Sequence, residues 1–424
     1  MTHFGILCPA KTGHLNTMLP LGRELQRRGH RVTLFGIADV QSKTLAAGLN
    51  FWRIGETDYP LGIAAQSLTQ LGKLSGFAAL RYNLNLIQKE AAMVLRDAPK
   101  ALKNAGVEAL LVNQMTLEGG SVAEFLDLPF ITVCSALPVN QEDGVPPFVT
   151  SWNYNSAQWA HLRNRAAYSL LNHIAQPIQK LINEYRQSWN LPPCDRVNDS
   201  CSKLAQLSQI PAEFDFPRQH LPQCFHFTGP YHESASREAV PFPWEKLTGQ
   251  PLIYASMGTI QNRLMNVFHC IAQACDGLNV QLVISLGGGN PDSLKGLPGK
   301  PLVVKYAPQM ELLKKATLTI THAGLNTVLE SLNNGVPMVA IPITSDQPGT
   351  AARLAWTGAG VKVPLARLSV RKLRICIQEV LSQDSYKNNA SRLQAAIQRA
   401  GGVRRAADIV ELAISKQKPV VAAV

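Results

Sequence analysis

Two histidines, each within two residues of a glycine, frame the chemistry available to this chain. Gly13-His14 lies near the amino terminus and His322-Ala323-Gly324 near residue 324. Imidazole is matched to take a proton from a hydroxyl near neutral pH, so His14 is a candidate general base. The second histidine precedes a stretch, Leu325 to Asn333, that reads as a helix with Asn326 and Thr327 in its first turn. Backbone N–H groups there lack intrahelical partners and the helix dipole favours negative charge, so an anion is welcome and His322 can add a donor to it. Glu330 follows Asn326 by four residues on nearly the same face, where its carboxylate can accept from two neighbouring hydroxyls. Tyr306 offers an aromatic face to a base, and Asp346-Gln347 is a polar pair suited to sugar hydroxyls. Ser256 to Thr259 reads either as a further pair of phosphate donors or as a plain strand-to-helix turn.

Particular elements must hold these groups. His3 to Cys8 is a strand-like run, and Ala10 to His14 a loop. Leu15, Met18, Leu19, Gly22 and Leu25 then recur at helical spacing, Gly29 stops the helix, and Val32 to Ile37 resumes a strand. This is a βαβ unit, and a ligand sits where its first strand hands over to the helix, which is where His14 falls. In the second half, Leu252 to Ala255 is a strand leading into SMGT. Leu318 to Thr321 is a strand leading into His322, and Pro337 to Pro342 is another before Asp346.

The ordered series YAPQ, THAGLNTVLES, GVPMVAIP and SDQ between Tyr306 and Gln347 closely resembles the sugar-donor motif of the UDP-dependent glycosyltransferases of the two-domain GT-B type. The resemblance implies that Tyr306 and Gln309 meet uracil, that His322, Asn326 and Thr327 beside Gly324 meet pyrophosphate, that Glu330 meets ribose, and that Asp346 and Gln347 meet the transferred sugar. It also implies that His14 is the catalytic base. In that family an aspartate steadies the histidine, and the matching segment ALLVNQMTLEGG has Asn113 in its place. An amide orients a ring without bringing charge, and loss of such a charge in a serine protease lowers turnover by about 10⁴. Glu118 is near enough in sequence to be weighed as a substitute. The motif departs from the plant pattern at Tyr306, where Trp is usual.

Outside these motifs, Ile131 to Pro147, Leu204 to Pro230 and Asp346 to Arg353 are similar to the bacterial zeaxanthin glucosyltransferases. The expected fold is therefore α/β of the GT-B type, two Rossmann-like parallel-sheet domains facing a cleft. Residues 1–235 would bind acceptor, 236–400 would bind the UDP-sugar, and a helix in 401–424 would fold back on the first domain. Gly229 to Pro243 is the linker candidate. The expected function is inverting transfer of a sugar, glucose by resemblance, from UDP to a hydroxyl of a lipophilic small molecule such as a carotenoid or phenol. A catalytically impaired UDP or carotenoid binder and a GT-B nucleotide-sugar epimerase are the alternatives.

Composition narrows the setting. A chain of 424 residues, 46% hydrophobic and 17% charged, is large enough for two cored domains. Eight cysteines at scattered spacings, without a C-x-x-C pair, point to a reduced cytoplasmic enzyme. No D-x-D pair is present to hold a metal on the donor, so no cofactor is expected and His322 with its helix start must assist UDP departure. Of the net charge of +12, Lys362 to Arg405 carries ten Lys or Arg against two acids. That field would draw in a phosphate-rich donor or an anionic membrane surface, or it is a solvated helix face; no nucleic-acid motif accompanies it. Gly144 to Trp152, Tyr154, Trp159 and Tyr168 form an aromatic stretch, followed by a basic amphipathic helix through Trp189, that would suit a lipophilic acceptor, though core packing explains the same residues.

Overall fold

Each strand at the centre of the molecule is a short continuous apolar run, the mark of a parallel sheet covered by helices on both faces. The computed structural model describes residues 1–71, 74, 76–232, 240–258 and 265–422. The first sheet is built from β1 (His3–Leu7), β2 (Arg31–Gly36), β3 (Asn50–Arg53), β4 (Ala109–Asn113), β5 (Phe130–Cys134), β6 (Gln206–Ser208) and β7 (Phe225–Phe227). The second is built from β8 (Leu252–Ser256), β9 (Gln281–Ser285), β10 (Leu302–Val304), β11 (Ala316–Thr321), β12 (Met338–Ala340) and β13 (Gly360–Lys362). All pairings are parallel, in the orders β3-β2-β1-β4-β5-β6-β7 and β10-β9-β8-β11-β12-β13. Each sheet therefore reverses its winding once, between β1 and β4 in the first and between β8 and β11 in the second. A crevice opens at the carboxyl ends of the strands at such a reversal, and that is where ligands bind in doubly wound folds.

Around the first sheet run α1 (Thr12–Arg27), α2 (Gln41–Ala46), α3 (Ile63–Leu71), α4 (Gly76–Ala105), α5 (Gly119–Phe125) and α6 (Gln158–Ser188). Around the second run α7 (Met265–Cys275), α8 (Gln309–Leu313), α9 (Leu325–Asn333), α10 (Gln347–Trp356), α11 (Val370–Ser382) and α12 (Asp384–Ala400). Gly401, at φ 86°, turns the chain back into α13 (Gly402–Lys416). That last helix buries Ala406, Val410 and Ala413 against α1, and Arg28, just past the end of α1, reaches Asp408 at 2.6 Å and Glu411 at 2.7 Å. The linker candidate lies partly outside the described residues, at 233–239. No helix of the described residues is long and apolar enough to cross a membrane.

The two halves share a core. Leu137, Ile210 and Phe214 from the first pack into one apolar cluster with Leu325, Val328, Leu329 and Leu354 from the second. Beside it, Asp215 holds Arg353 of α10 at 2.6 Å and Arg218 at 2.8 Å, with Arg353 stacked 4.4 Å over the Phe216 ring. Burial alone would raise the Asp215 pKa, but the charges of Arg218 and Arg353 outweigh it and hold the carboxyl at about 2. A strap from Gly144 to Ala157 leaves the first half and lies on α10. It comes so close that a Cβ on Gly349 would stand 2.0 Å from the Phe148 carbonyl oxygen, so only glycine fits there. Lys362 pins the strap by donating to the Ser151 carbonyl at 2.7 Å and to Asn153 at 2.8 Å.

Asp215→Ala should destabilise the fold by roughly 3–5 kcal/mol, because it strands two buried guanidinium groups. Urea unfolding followed by circular dichroism checks this. In the unmutated chain, a folded-state pKa below the ordinary carboxylate value means that this contribution is present at neutral pH and is lost only as the pH falls toward about 2.

Candidate active site

The first winding reversal sets His14 against β4. His14 lies in the first turn of α1, directly after β1, and its Nδ1 is 2.6 Å from Ser135 Oγ. Ser135 follows β5 and also accepts from Asn113 Nδ2 at 2.7 Å. Asn113, the last residue of β4, has its own Oδ1 taken by the Met115 amide at 3.0 Å, which fixes which end of the side chain faces Ser135. Asn113 thus reaches His14 through a hydroxyl. Sequence reading missed Ser135. The register explains the contact, since Asn113 pairs with Val133 and Ser135 lies two residues on, just past the end of β5.

The relay has a chemical consequence. A base needs its Nε2 lone pair, hence a proton on Nδ1, hence a Ser135 oxygen that accepts from His14 as well as from Asn113. Asn113 offers Ser135 a donor but no acceptor, so the serine proton is equally free to turn toward Nδ1 and idle the ring as a base. Burial pushes the His14 pKa down, reinforced by Lys11 and opposed by Asn113, to about 4, so the ring is neutral at pH 7. Glu118 does not take the partner position. It lines the cavity beside His14, and burial, partly countered by its own backbone and helped by Glu90, raises its pKa to about 8, leaving the carboxyl mostly uncharged at pH 7.

At the second reversal His322 directly follows β11, and Ala323 comes next with φ 64°, a left-handed turn that costs a side chain about 1 kcal/mol. The His322 ring lies between two glycines. A Cβ on Gly258 would stand 2.6 Å from Nε2, and one on Gly324 would stand 2.5 Å from it. Gly324 is also the residue before α9 and cannot cap it, so the first amides of that helix have no side-chain acceptor. Nε2, two bare glycines and an uncapped helix start together form an anion cradle. Burial, partly countered by the Ser256 backbone, lowers the His322 pKa to about 4. His322 therefore serves as a neutral hydrogen-bonding group. Ser256 Oγ accepts from the Gly258 amide at 3.3 Å and so supports the turn; Thr259 lies outside the described residues.

Glu330 is fully buried in α9, where Gln309 Nε2 donates to its Oε2 at 2.6 Å. The Gln309 carbonyl oxygen in turn accepts from the Tyr254 hydroxyl at 3.0 Å, and its amide lies 3.4 Å from Thr327 Oγ1. Expected on the base, Gln309 has its side chain engaged with Glu330 and Tyr254. Tyr306 is about half exposed, as a stacking platform must be. Asp346 precedes α10, and burial, partly countered by its own backbone and Arg353, raises its pKa to about 6. Gln347 uses its carbonyl oxygen to close the turn before it, accepting from the amides of Ile343 at 2.9 Å and Thr344 at 3.0 Å, and keeps its NH₂ for other partners.

The two reversals meet at Asn326. Its Nδ2 donates to the Gly13 carbonyl at 2.8 Å, one residue before the candidate base, and its Oδ1 accepts from Gln209 at 3.0 Å. Gln209 also donates to the Ser135 carbonyl at 2.6 Å. The aromatic stretch expected to line an acceptor site has other partners. Tyr168 is buried with its hydroxyl on the Val145 carbonyl at 3.0 Å, Tyr154 leans on Phe216 and Trp356, and Trp159 faces outward. The cavity beside His14, about 70 Å³, is walled by Cys8, Phe35, Ile54, Ile87, Met93 and Glu118. The basic stretch is not one open patch. Arg374, Lys387 and Arg392 cap the carbonyls of Asp276, Gly335 and Thr357, and Arg399 pairs with Glu213 across the domains.

Residues 66–400 match the family model described as UDP-glucoronosyl and UDP-glucosyl transferase. The chain belongs to this family. It is 31% identical over 423 residues to the zeaxanthin glucosyltransferase of Pantoea ananas, covering 99% of this chain and 98% of that one. It is 32% identical over 436 residues to that of Pseudescherichia vulneris, covering 99% and 100%. Among solved structures, the glycotransferase of kitacinnamycin superposes with a TM-score of 0.77 at 20% identity, over 97% of this chain and 98% of that one. The protein is thus a UDP-glycosyltransferase built on two Rossmann-like parallel sheets.

Asn113→Asp should raise kcat, because a carboxylate accepts the Ser135 proton and forces the serine to accept from His14 Nδ1. It should also move the acid limb of kcat/KM upward from about 4, since His14 protonates more readily beside a negative charge. Below that limb His14 is charged and activity falls. Both effects should vanish in the Ser135→Ala background, which pH–rate profiles of the single and double variants would show.

Proposed function

We propose that the enzyme transfers glucose from UDP to a hydroxyl of a lipophilic acceptor, with inversion at the anomeric carbon. The observation that carries this reading is the 2.8 Å bond from Asn326 to the Gly13 carbonyl, which sets the anion cradle of the second domain directly against the turn bearing His14. His14 Nε2 takes the acceptor proton as the hydroxyl oxygen bonds to the anomeric carbon. The bond from that carbon to the UDP oxygen breaks on the opposite side, and a single displacement of this kind inverts the centre. The charge left on the β-phosphate falls on the α9 amides and His322 Nε2. Uracil stacks on Tyr306, Glu330 holds the ribose hydroxyls, and Asp346 with the Gln347 NH₂ holds those of the sugar.

Glucose and a carotenoid-like acceptor are supported by the two full-length zeaxanthin glucosyltransferase relatives. In this reading no metal takes part, because cradle and histidine receive the departing charge. Asn113 favours a second reading, a UDP or carotenoid binder with impaired turnover, since the relay leaves the tautomer of His14 unforced.

Incubation with UDP-glucose and a panel of hydroxylated carotenoids and phenols separates the two readings. Glucoside formation that is lost in His14→Ala while UDP affinity persists supports transfer; UDP binding without product from any acceptor supports the binder. Turnover should be the same with and without EDTA. Glu330→Ala should weaken UDP binding by roughly 1.5–3 kcal/mol, the range for hydrogen bonds to a charged group, as read by calorimetry.

A further inference from the structure

Helix α6 buries one face and leaves the opposite one bare. Ala160, Tyr168, Ile178 and Ile182 point inward. At intervals of three, four and four residues on the other side stand Trp159, Leu162, Ala166 and Leu170, with Pro177 continuing the line two turns on. Trp159 is 57% exposed, Leu162 63% and Leu170 60%, so these are whole side chains in water and not edges of the core. A soluble helix normally turns polar residues outward, and a continuous exposed apolar stripe marks an interaction surface.

What meets this stripe is indicated by its flanks. Of the four Lys or Arg on the helix, Arg186 is buried and held by Glu124 at 2.7 Å and Arg165 pairs with Asp143 at 2.6 Å, while Arg163 and Lys180 stand on the exposed side, Lys180 4.0 Å from the helix's single acid, Glu184. The Arg163 guanidinium lies 4.3 Å over the Trp152 ring and 5.3 Å from the Trp159 ring, its stem along apolar surface and its charge at the rim. Trp356, 49% exposed at the end of α10, stacks beside Tyr154 on the same strap that leads from the cleft to the start of α6. Tryptophan beside arginine at the border of an apolar face suits the boundary between lipid headgroups and acyl chains. A second copy suits it less, because a two-fold contact would set Arg163 and Lys180 of one chain against like charges of the other.

We infer that the outer face of α6 docks the enzyme on anionic lipid bilayers, apolar stripe inward and basic flanks on the headgroups. This rests on the reading of the acceptor as lipophilic, for such a molecule resides in a bilayer and the strap links the docked helix to the cleft.

The test is sedimentation of the full-length enzyme with vesicles of phosphatidylcholine alone and of an equal mixture with phosphatidylglycerol. The wild type should bind the mixed vesicles, more weakly as salt rises, and Leu162→Asp/Leu170→Asp should reduce binding at least about tenfold. The Arg371→Ala/Lys372→Ala/Arg374→Ala variant should bind as the wild type does. Glucosylation of a water-soluble phenol by the aspartate variant serves as the fold control. If it is retained while no form binds vesicles, docking is overturned and the transfer reading survives; if no acceptor of any kind is glucosylated, the transfer reading itself fails. Equal binding by wild type and aspartate variant, or a wild-type dimer that dissociates on these substitutions, also overturns the proposal.

Discussion

A single amide bridges the places where the two substrates must meet. Asn326 stands in the first turn of α9, whose uncapped amides suit an anion, and donates at 2.8 Å to the carbonyl of Gly13, beside the candidate base. Its carbonyl oxygen is occupied by Gln209, which also grips the backbone of Ser135 at 2.6 Å. The separation between base and cradle is therefore set by short hydrogen bonds and not by the distance between two independently folded units. The shared apolar cluster and the buried Asp215–Arg353 pair make that separation stiff, because opening the cleft would expose both. Displacement at a sugar carbon rewards such stiffness, since misplacing a base by about 1 Å can cost a hundredfold in rate.

The second domain was legible in the sequence because its site is local. Strand, turn and helix start follow one another within Leu318 to Asn333, and an anion at an uncapped helix start requires little else. The first domain was legible only where it is local too. The βαβ unit placed His14 correctly, but the relay behind it draws on Asn113 from β4, Ser135 from the end of β5 and Gln209 from beyond β6. Strand order and register bring these together, and neither is written in any short window of sequence. The same applies to Gln309, whose place in the motif suggests a base contact, while the hydroxyl of Tyr254 and the carboxylate of Glu330 settle its side chain. The aromatic strap misled for another reason. Its residues are apolar because they seal one domain onto the other, and composition does not distinguish a seal from a binding wall.

The site also works against the stability of the fold. Ala323 and Ser345 both adopt positive φ, at 64° and 58°, in the turns that lead to α9 and to Asp346-Gln347. His14 and His322 are buried with pKa values near 4, so the folded chain resists two protons that the unfolded chain accepts near 6.5. The sign follows directly: the unfolded state binds more protons between about 6.5 and 4, and both groups destabilise the fold increasingly as pH falls through that window. These departures gather around the cleft, while the apolar strands behind it conform to the local rules, which is the distribution expected where function and not folding chose the residues.

Charge gives the last contrast. The basic run from Lys362 to Arg405 dominates the sequence, yet in the folded chain it is dispersed over carbonyls at turns and helix ends and over one acid of the other domain. Helix α6 carries fewer cations, two of them paired with Glu124 and Asp143, but Arg163 borders an exposed apolar stripe. A net charge states how strongly a protein is drawn toward an anionic surface in general; only apolar side chains standing free beside that charge give the attraction a place and an orientation. The stripe on α6 supplies both. It begins where the strap ends, so a bilayer held there would border the segment whose Tyr154 packs on Trp356 of α10.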